Sequence, residues 1–156
     1  MEIKGGKMGK FSKRSLDNLT GCHPDLVKIA NLAIQRIDFT IIEGHRTVEE
    51  QRKKIKQGFS KIMNSKHCET PSRAFDFIPY PFKQEDWNDT EKFNKIGEVL
   101  LECAKELGIK ARRGADWNLN GSTKDEVQRG SYDGPHFELL SDEELEQLLQ
   151  QHIPIA

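Results

Sequence analysis

Arg73-Ala-Phe-Asp-Phe-Ile78 carries the first clear statement about architecture. Its side chains alternate with a period of two, Ala74, Asp76 and Ile78 on one side and Arg73, Phe75 and Phe77 on the other, which predicts a strand. Upstream, Phe39 to Glu43 is short, β-branched and bounded by Asp38 and Gly44, and reads as another strand. Downstream, Ile109 to Arg113 and His136 to Leu139 are strand candidates. Helical spacing lies between them. Pro24 to Ile37 places Leu26, Ile29, Ala30, Ala33, Ile34 and Ile37 at offsets of three and four. Thr90 to Leu107 does the same with Phe93, Ile96, Leu100, Ala104 and Leu107, and Gly108 is a plausible C-cap. Thr47 with Glu50, and Ser141 with Glu144, are capping boxes. They start a helix ending near Gly58 and a closing helix with Leu145, Leu148 and Leu149. The strands are too short and too irregularly spaced for a doubly wound sheet. The order predicts an α+β fold, a single compact domain with helices packed on a small, mostly antiparallel sheet.

The 156 residues suffice for one domain with a sizeable core. Met1 to Arg14 is rich in lysine and glycine and is read as a loosely ordered basic arm, with residues 1–10 as the arm proper and 11–156 as the domain. The 24 basic and 25 acidic side chains nearly cancel, whereas a protein held by phosphates usually has a basic excess, so no nucleic-acid partner is expected. No apolar run approaches the roughly 18 residues of a membrane helix, and no apolar stretch follows the first lysines as in a signal peptide. Three cysteines cannot close a disulfide framework, which suits a reducing compartment. A soluble, monomeric protein made in the cytoplasm is the expectation.

Phosphate-loop, dinucleotide, nucleophile-elbow, CxxC and HExxH signatures are absent from the sequence. Three polar residues stand out: His67 in Ser65-Lys-His67, Asp76 in the strand, and His136 in Asp133-Gly-Pro-His136. Two neutral imidazoles and one carboxylate suit a catalytic zinc ion, because they leave a coordination position open and a net charge of about +1. The turn at Gly134-Pro135 would bring Asp133 near such a site, where a general base must stand. Any one of these residues taken alone reads first as a surface or hydrogen-bonded structural side chain. His23, His45 and His152 keep that reading, and Cys68 is a soft ligand, a nucleophile or, as a lone cysteine more often is, filler.

These segments resemble the M15 family of zinc peptidases: Ser65-Lys-His67, Pro71-Ser-Arg-Ala-Phe-Asp76 and Asp133-Gly-Pro-His136-Phe-Glu-Leu139. The branch of phage L-alanyl-D-glutamate endolysins is most similar. It shares Phe11-Ser-x-x-Ser-Leu-x-Asn-Leu, His23-Pro-Asp-Leu, Glu43-Gly-x-Arg46-Thr and Gly114-Ala-Asp-Trp117, so the likeness spans residues 11 to 140. It implies a D-Ala-D-Ala peptidase/hedgehog-like fold and zinc ligands at His67, Asp76 and His136. It implies catalytic roles for Asp133 and for Arg46, the latter holding substrate and stabilising an oxyanion. Nine positions separate His67 from Asp76 where the family pattern has about seven, and Ser72 stands where glycine is usual.

The implied function is that of a phage endolysin, a zinc-dependent hydrolase of the L-Ala–D-Glu bond in bacterial peptidoglycan. Such an enzyme collects in the host cytoplasm and reaches the wall through a membrane lesion, with no separate wall-binding domain. Alternatives are a D-Ala-D-Ala carboxypeptidase or dipeptidase of the same family, a lysozyme-type glycosidase with Glu43 as acid, and a non-catalytic zinc-binding module. Glu138 is either a residue that orients a ligand or a solvated core edge. Trp117 is either a cleft wall or a packed aromatic.

Overall fold

A computed structural model describes residues 10–58, 65–119, 122–129 and 132–151. Segment 1–9, most of the expected basic arm, lies outside the described residues, as does His152. Among the described residues are six α-helices, α1 (Lys13–Leu19), α2 (Pro24–Ala33), α3 (Val48–Lys56), α4 (Thr90–Glu106), α5 (Lys124–Arg129) and α6 (Asp142–Gln150), and strands β1 (Phe39–Glu43), β2 (Ala74–Pro79), β3 (Ala111–Arg113) and β4 (His136–Leu139). The strands form one antiparallel sheet in the order β1-β2-β4-β3. The expected α+β architecture is what the chain adopts.

Period-two alternation sorts the sheet into two faces. Phe75 lies opposite Phe137 with the rings stacked, and both side chains are fully buried with Phe77. Against this face pack Leu26, Ile29, Ala30 and Ala33 of α2 and Phe93, Ile96 and Leu100 of α4. The helix ends follow local chemistry. Beyond α4, Gly108 takes a positive φ of 71°, and Ile109 N–H reaches back to Ala104 O while Gly108 N–H reaches Lys105 O. That is the paired closure that favours glycine. Both capping boxes form as expected, on Thr47–Glu50 and Ser141–Glu144.

Two expectations need correcting. The helix from Pro24 does not run to Ile37. After Ala33 the N–H groups of Gln35 and Arg36 bond three residues back, tightening the last turn. Arg14 is not part of a loose arm but lies in α1, which Ser12 caps. This helix closes an edge of the sheet: Ser15 Oγ accepts from Ile41 N–H at 2.9 Å, and Asn18 donates to Ile41 O at 2.8 Å. Between β3 and β4 lies α5, whose Glu126 is fully buried.

Candidate metal centre and catalytic site

The face of the sheet opposite the aromatic core carries the polar residues. Asp76 is the register partner of His136, Ala74 of Glu138, and Arg112 of Glu138. Strand pairing alone therefore sets a carboxylate beside an imidazole, since opposed residues point to the same face. His67 arrives from a short 3-10 turn, Lys66–Cys68, whose start is capped by Ser65 Oγ accepting from His67 N–H at 3.2 Å. Ligand atoms of His67, Asp76 and His136 all lie within 4.8 Å of one another. Among the described residues this is the group able to hold a metal ion.

The long interval between His67 and Asp76 does not separate them. The intervening chain turns away from the site and docks at Ser72, which pairs with Cys22. Ser72 N–H donates to Gly21 O and Ser72 O accepts from His23 N–H, each at 2.8 Å. A hydroxyl at this position is also used, since Ser72 Oγ donates to Ala74 O at 2.7 Å at the start of β2.

The donor set suits a metal in more than proximity. His67 Nδ1 lies 2.8 Å from Gly44 O, so it carries the proton and Nε2 is directed to Asp76 Oδ1 at 3.2 Å. His136 is arranged the other way round, with Nε2 2.7 Å from Glu138 Oε1 and Nδ1 3.4 Å from Asp76 Oδ1. Each imidazole thus has one nitrogen anchored outside the cluster and the other facing in, the pattern that fixes tautomers in metal sites. Gly44 is required for the first anchor, because any side chain there would overlap Asn18 O.

Charges in the cluster are strongly coupled. Burial alone would raise Asp76, but hydrogen bonds and charge from His136 and His67 hold it far below the carboxylate range. Burial would lower His136, yet Asp76 and Glu138 push it up to about 10. Burial would likewise raise Glu138, and His136, Lys66 and Arg112 bring it down to about 2.

Asp133 stands at the rim on the turn that feeds β4. Its N–H donates to Gly114 O at 2.8 Å, and its carbonyl accepts from His136 N–H at 3.2 Å. A side chain at Gly114 would come within 2.8 Å of Cβ of both Asp133 and His136, so glycine permits this close approach. Crowding by surrounding protein and then the Asp76 charge raise the Asp133 carboxyl, partly offset by His136, His67 and Arg46. A raised carboxyl suits proton transfer near neutral pH. Arg46 is buried beside the cluster, with Nη2 3.7 Å from Asp76 Oδ2. Its Nη1 donates to Gln51 Oε1 at 2.6 Å, while Nε and Nη2 engage Glu43.

The model of the phage L-alanyl-D-glutamate peptidase family matches residues 8–140. The chain belongs to this family. It is 42% identical over 134 residues to the L-alanyl-D-glutamate peptidase of Escherichia phage T5, covering 84% of this chain and 98% of that one. Among solved structures it resembles the L-Ala D-Glu endopeptidase ChiX of Serratia marcescens, with a TM-score of 0.67 and 28% identity. That match covers 89% of this chain and 96% of ChiX.

In this family member the structure brings together all five residues singled out from the sequence and adds others. Lys66 Nζ lies 3.2 Å from Glu138 Oε2 and contacts Glu144 and Leu139 O. Arg112 Nε donates to Glu138 Oε2 at 2.9 Å. Arg112 also donates to Trp117 O and lies over the indole, 5.1 Å from its centroid, while that ring stands 5.2 Å from His136. Trp117 is therefore a wall of the site, and Glu138 belongs to it. Alternation in Ala111-Arg112-Arg113 was the available signal for Arg112. Lys66 carried none, since its partners Glu138, Leu139 and Glu144 are more than 70 positions away. Cys68 stands outside the cluster, with Sγ 3.9 Å from Thr47 O. His23 caps α2, and His45 lies 3.2 Å from Thr70 Oγ1.

Proposed function

We propose that this protein is a zinc-dependent endopeptidase that hydrolyses the L-Ala–D-Glu bond of peptidoglycan stem peptides, a phage endolysin. The observation that carries the reading is the His67–Asp76–His136 cluster with outward-anchored imidazoles, beside Asp133, in a member of this family. Two nitrogens and one carboxylate oxygen match a catalytic zinc set with an open position. Zinc held there supplies Lewis-acid activation of water and of the scissile carbonyl.

The chain's own residues do the rest. Asp133 accepts a proton from the attacking water and returns it to the departing amine of D-Glu, which requires one group to serve as base and then acid. Arg46 supplies fixed positive charge toward the developing oxyanion and the substrate. Glu138 and Gly44 O keep His136 and His67 in ligating tautomers. No described helix is long and apolar enough to cross a membrane. The protein acts as a monomer on peptidoglycan. Glu43, the acid a glycosidase would need, is engaged by Arg46 rather than set in an apolar pocket.

A synthetic peptide holding the L-Ala–D-Glu bond tests this directly. Cleavage is expected to stop on chelation and return with zinc. The Asp133→Asn protein should bind zinc normally and lose about 100- to 10,000-fold in kcat. Cleavage that survives either treatment would overturn the assignment.

A further inference from the structure

Strand β3 presents its two arginines to opposite sides of the sheet. Arg112 faces the site, opposite Glu138, whereas Arg113 is the register partner of Phe137 on the aromatic core side. Arg113 is only 3% exposed, an unusual placement for a guanidinium. A space is made for it: a side chain at Gly97 of α4 would overlap the guanidinium and lie within 2.6 Å of Cδ. Among the described residues its Nε and Nη2 have no hydrogen-bond partner. Burial lowers its pKa, offset by Tyr132 beside it and by the charges of Glu98 and Asp116. A buried, incompletely matched cation is a poor way to stabilise a core. Its presence calls for another role.

The partner shows what that role is. Tyr132 immediately precedes Asp133. Its hydroxyl donates to Asn94 Oδ1 of α4 at 3.3 Å, and the Arg113 charge beside it offsets part of the upward push that burial gives its pKa. The ring closes over Gly134, where an added Cβ would stand 3.0 Å from Tyr132 Cε1 and 3.2 Å from Phe93 Cγ. The turn carrying Asp133 is therefore held on one flank by Gly114 and on the other by a ring hydrogen-bonded to α4 and set beside the Arg113 charge.

We infer that Arg113 and Tyr132 are positioning residues, a clamp behind the sheet that fixes the Asp133 carboxylate relative to the metal-holding cluster. This inference rests on the proposed role of Asp133. It requires that loosening the clamp slow the chemical step without weakening metal binding, because His67, Asp76 and His136 have their own anchors. Displacements of about 1 Å at a reacting group can cost on the order of 100-fold.

The test compares Arg113→Met, Tyr132→Phe, their combination and Asp133→Asn, each zinc-loaded, on a peptide holding the L-Ala–D-Glu bond. Zinc affinity is measured in parallel by chelator competition. Tyr132→Phe keeps the ring and removes the hydroxyl alone, so it reports even if Arg113→Met folds poorly. The expected result is a fall in kcat of about tenfold or more per folded molecule in Tyr132→Phe and in any folded Arg113→Met. KM and zinc affinity should stay within about twofold, and the double variant should be no worse than the more impaired single variant, since the pair acts as a unit. Wild-type kcat in Tyr132→Phe, or zinc affinity falling in step with activity, would overturn the clamp. An active Asp133→Asn would instead remove the reading on which it rests.

Discussion

Glu138→Gln is the most informative single change near the metal-holding residues. Glu138 is 5% exposed, and its Oε1 lies 2.7 Å from His136 Nε2. Its Oε2 lies 2.9 Å from Arg112 Nε and 3.2 Å from Lys66 Nζ. The amide has the same shape but no charge, and one of its ends becomes a donor. Hydrogen bonds to charged groups contribute about 1.5–3 kcal/mol, and each 1.4 kcal/mol is about tenfold in an equilibrium constant. Losing the carboxylate behind His136 should therefore weaken zinc binding by about 10- to 100-fold, in line with other residues behind histidine ligands. The fold should survive. Lys66 keeps Glu144 and Leu139 O, and Arg112 keeps Trp117 O. Competition against a chromophoric chelator reads the affinity, and kcat at saturating zinc should change far less than affinity does. Zinc affinity within about twofold of wild type would refute the view that Glu138 sets the ligating tautomer of His136.

Three further outcomes follow from the same structure. In chelated protein, His136 is pushed up to about 10 from an ordinary value near 6.5, so the stability it contributes is complete below about pH 6.5 and fades as pH rises through about 10. Glu138, lowered to about 2, contributes stability above about pH 4.5 that is lost as pH falls toward 2. The chelated protein's melting temperature should therefore fall on both sides of a plateau near pH 5–6. Zinc must displace the His136 proton, so zinc affinity should rise steeply between pH 6 and 9, and a flat profile by chelator competition would count against the coupling. Away from the site, Ser15→Ala leaves the buried Ile41 N–H without its acceptor and should cost about 1–3 kcal/mol in denaturant unfolding, with kcat unchanged. Unaltered stability would mean that α1 does not close this edge through Ser15.

The strands and long helices were legible because their signals are local. Alternation in Arg73–Ile78 and helical spacing in Thr90–Leu107 survive folding as the buried faces of β2 and α4. Of the candidate site, Asp76 and His136 were readable as residues, but their union depends on strand register, which brings residue 76 opposite residue 136. Short α1 and α5 escaped notice because their apolar content is small and their roles are polar: Ser15 and Asn18 serve β1, and α5 buries Glu126. Arg113 was invisible for a different reason. A charged residue next to another reads as surface until Gly97, 16 positions earlier, is seen to make room for it.

The most direct test of the central claim is mass spectrometry of purified peptidoglycan digested by this protein, with and without chelator and zinc add-back. Zinc-dependent fragments bearing a new free amino group on D-Glu are expected. Release of D-alanine or of the D-Ala-D-Ala dipeptide, or metal-independent appearance of reducing sugar ends, would contradict it.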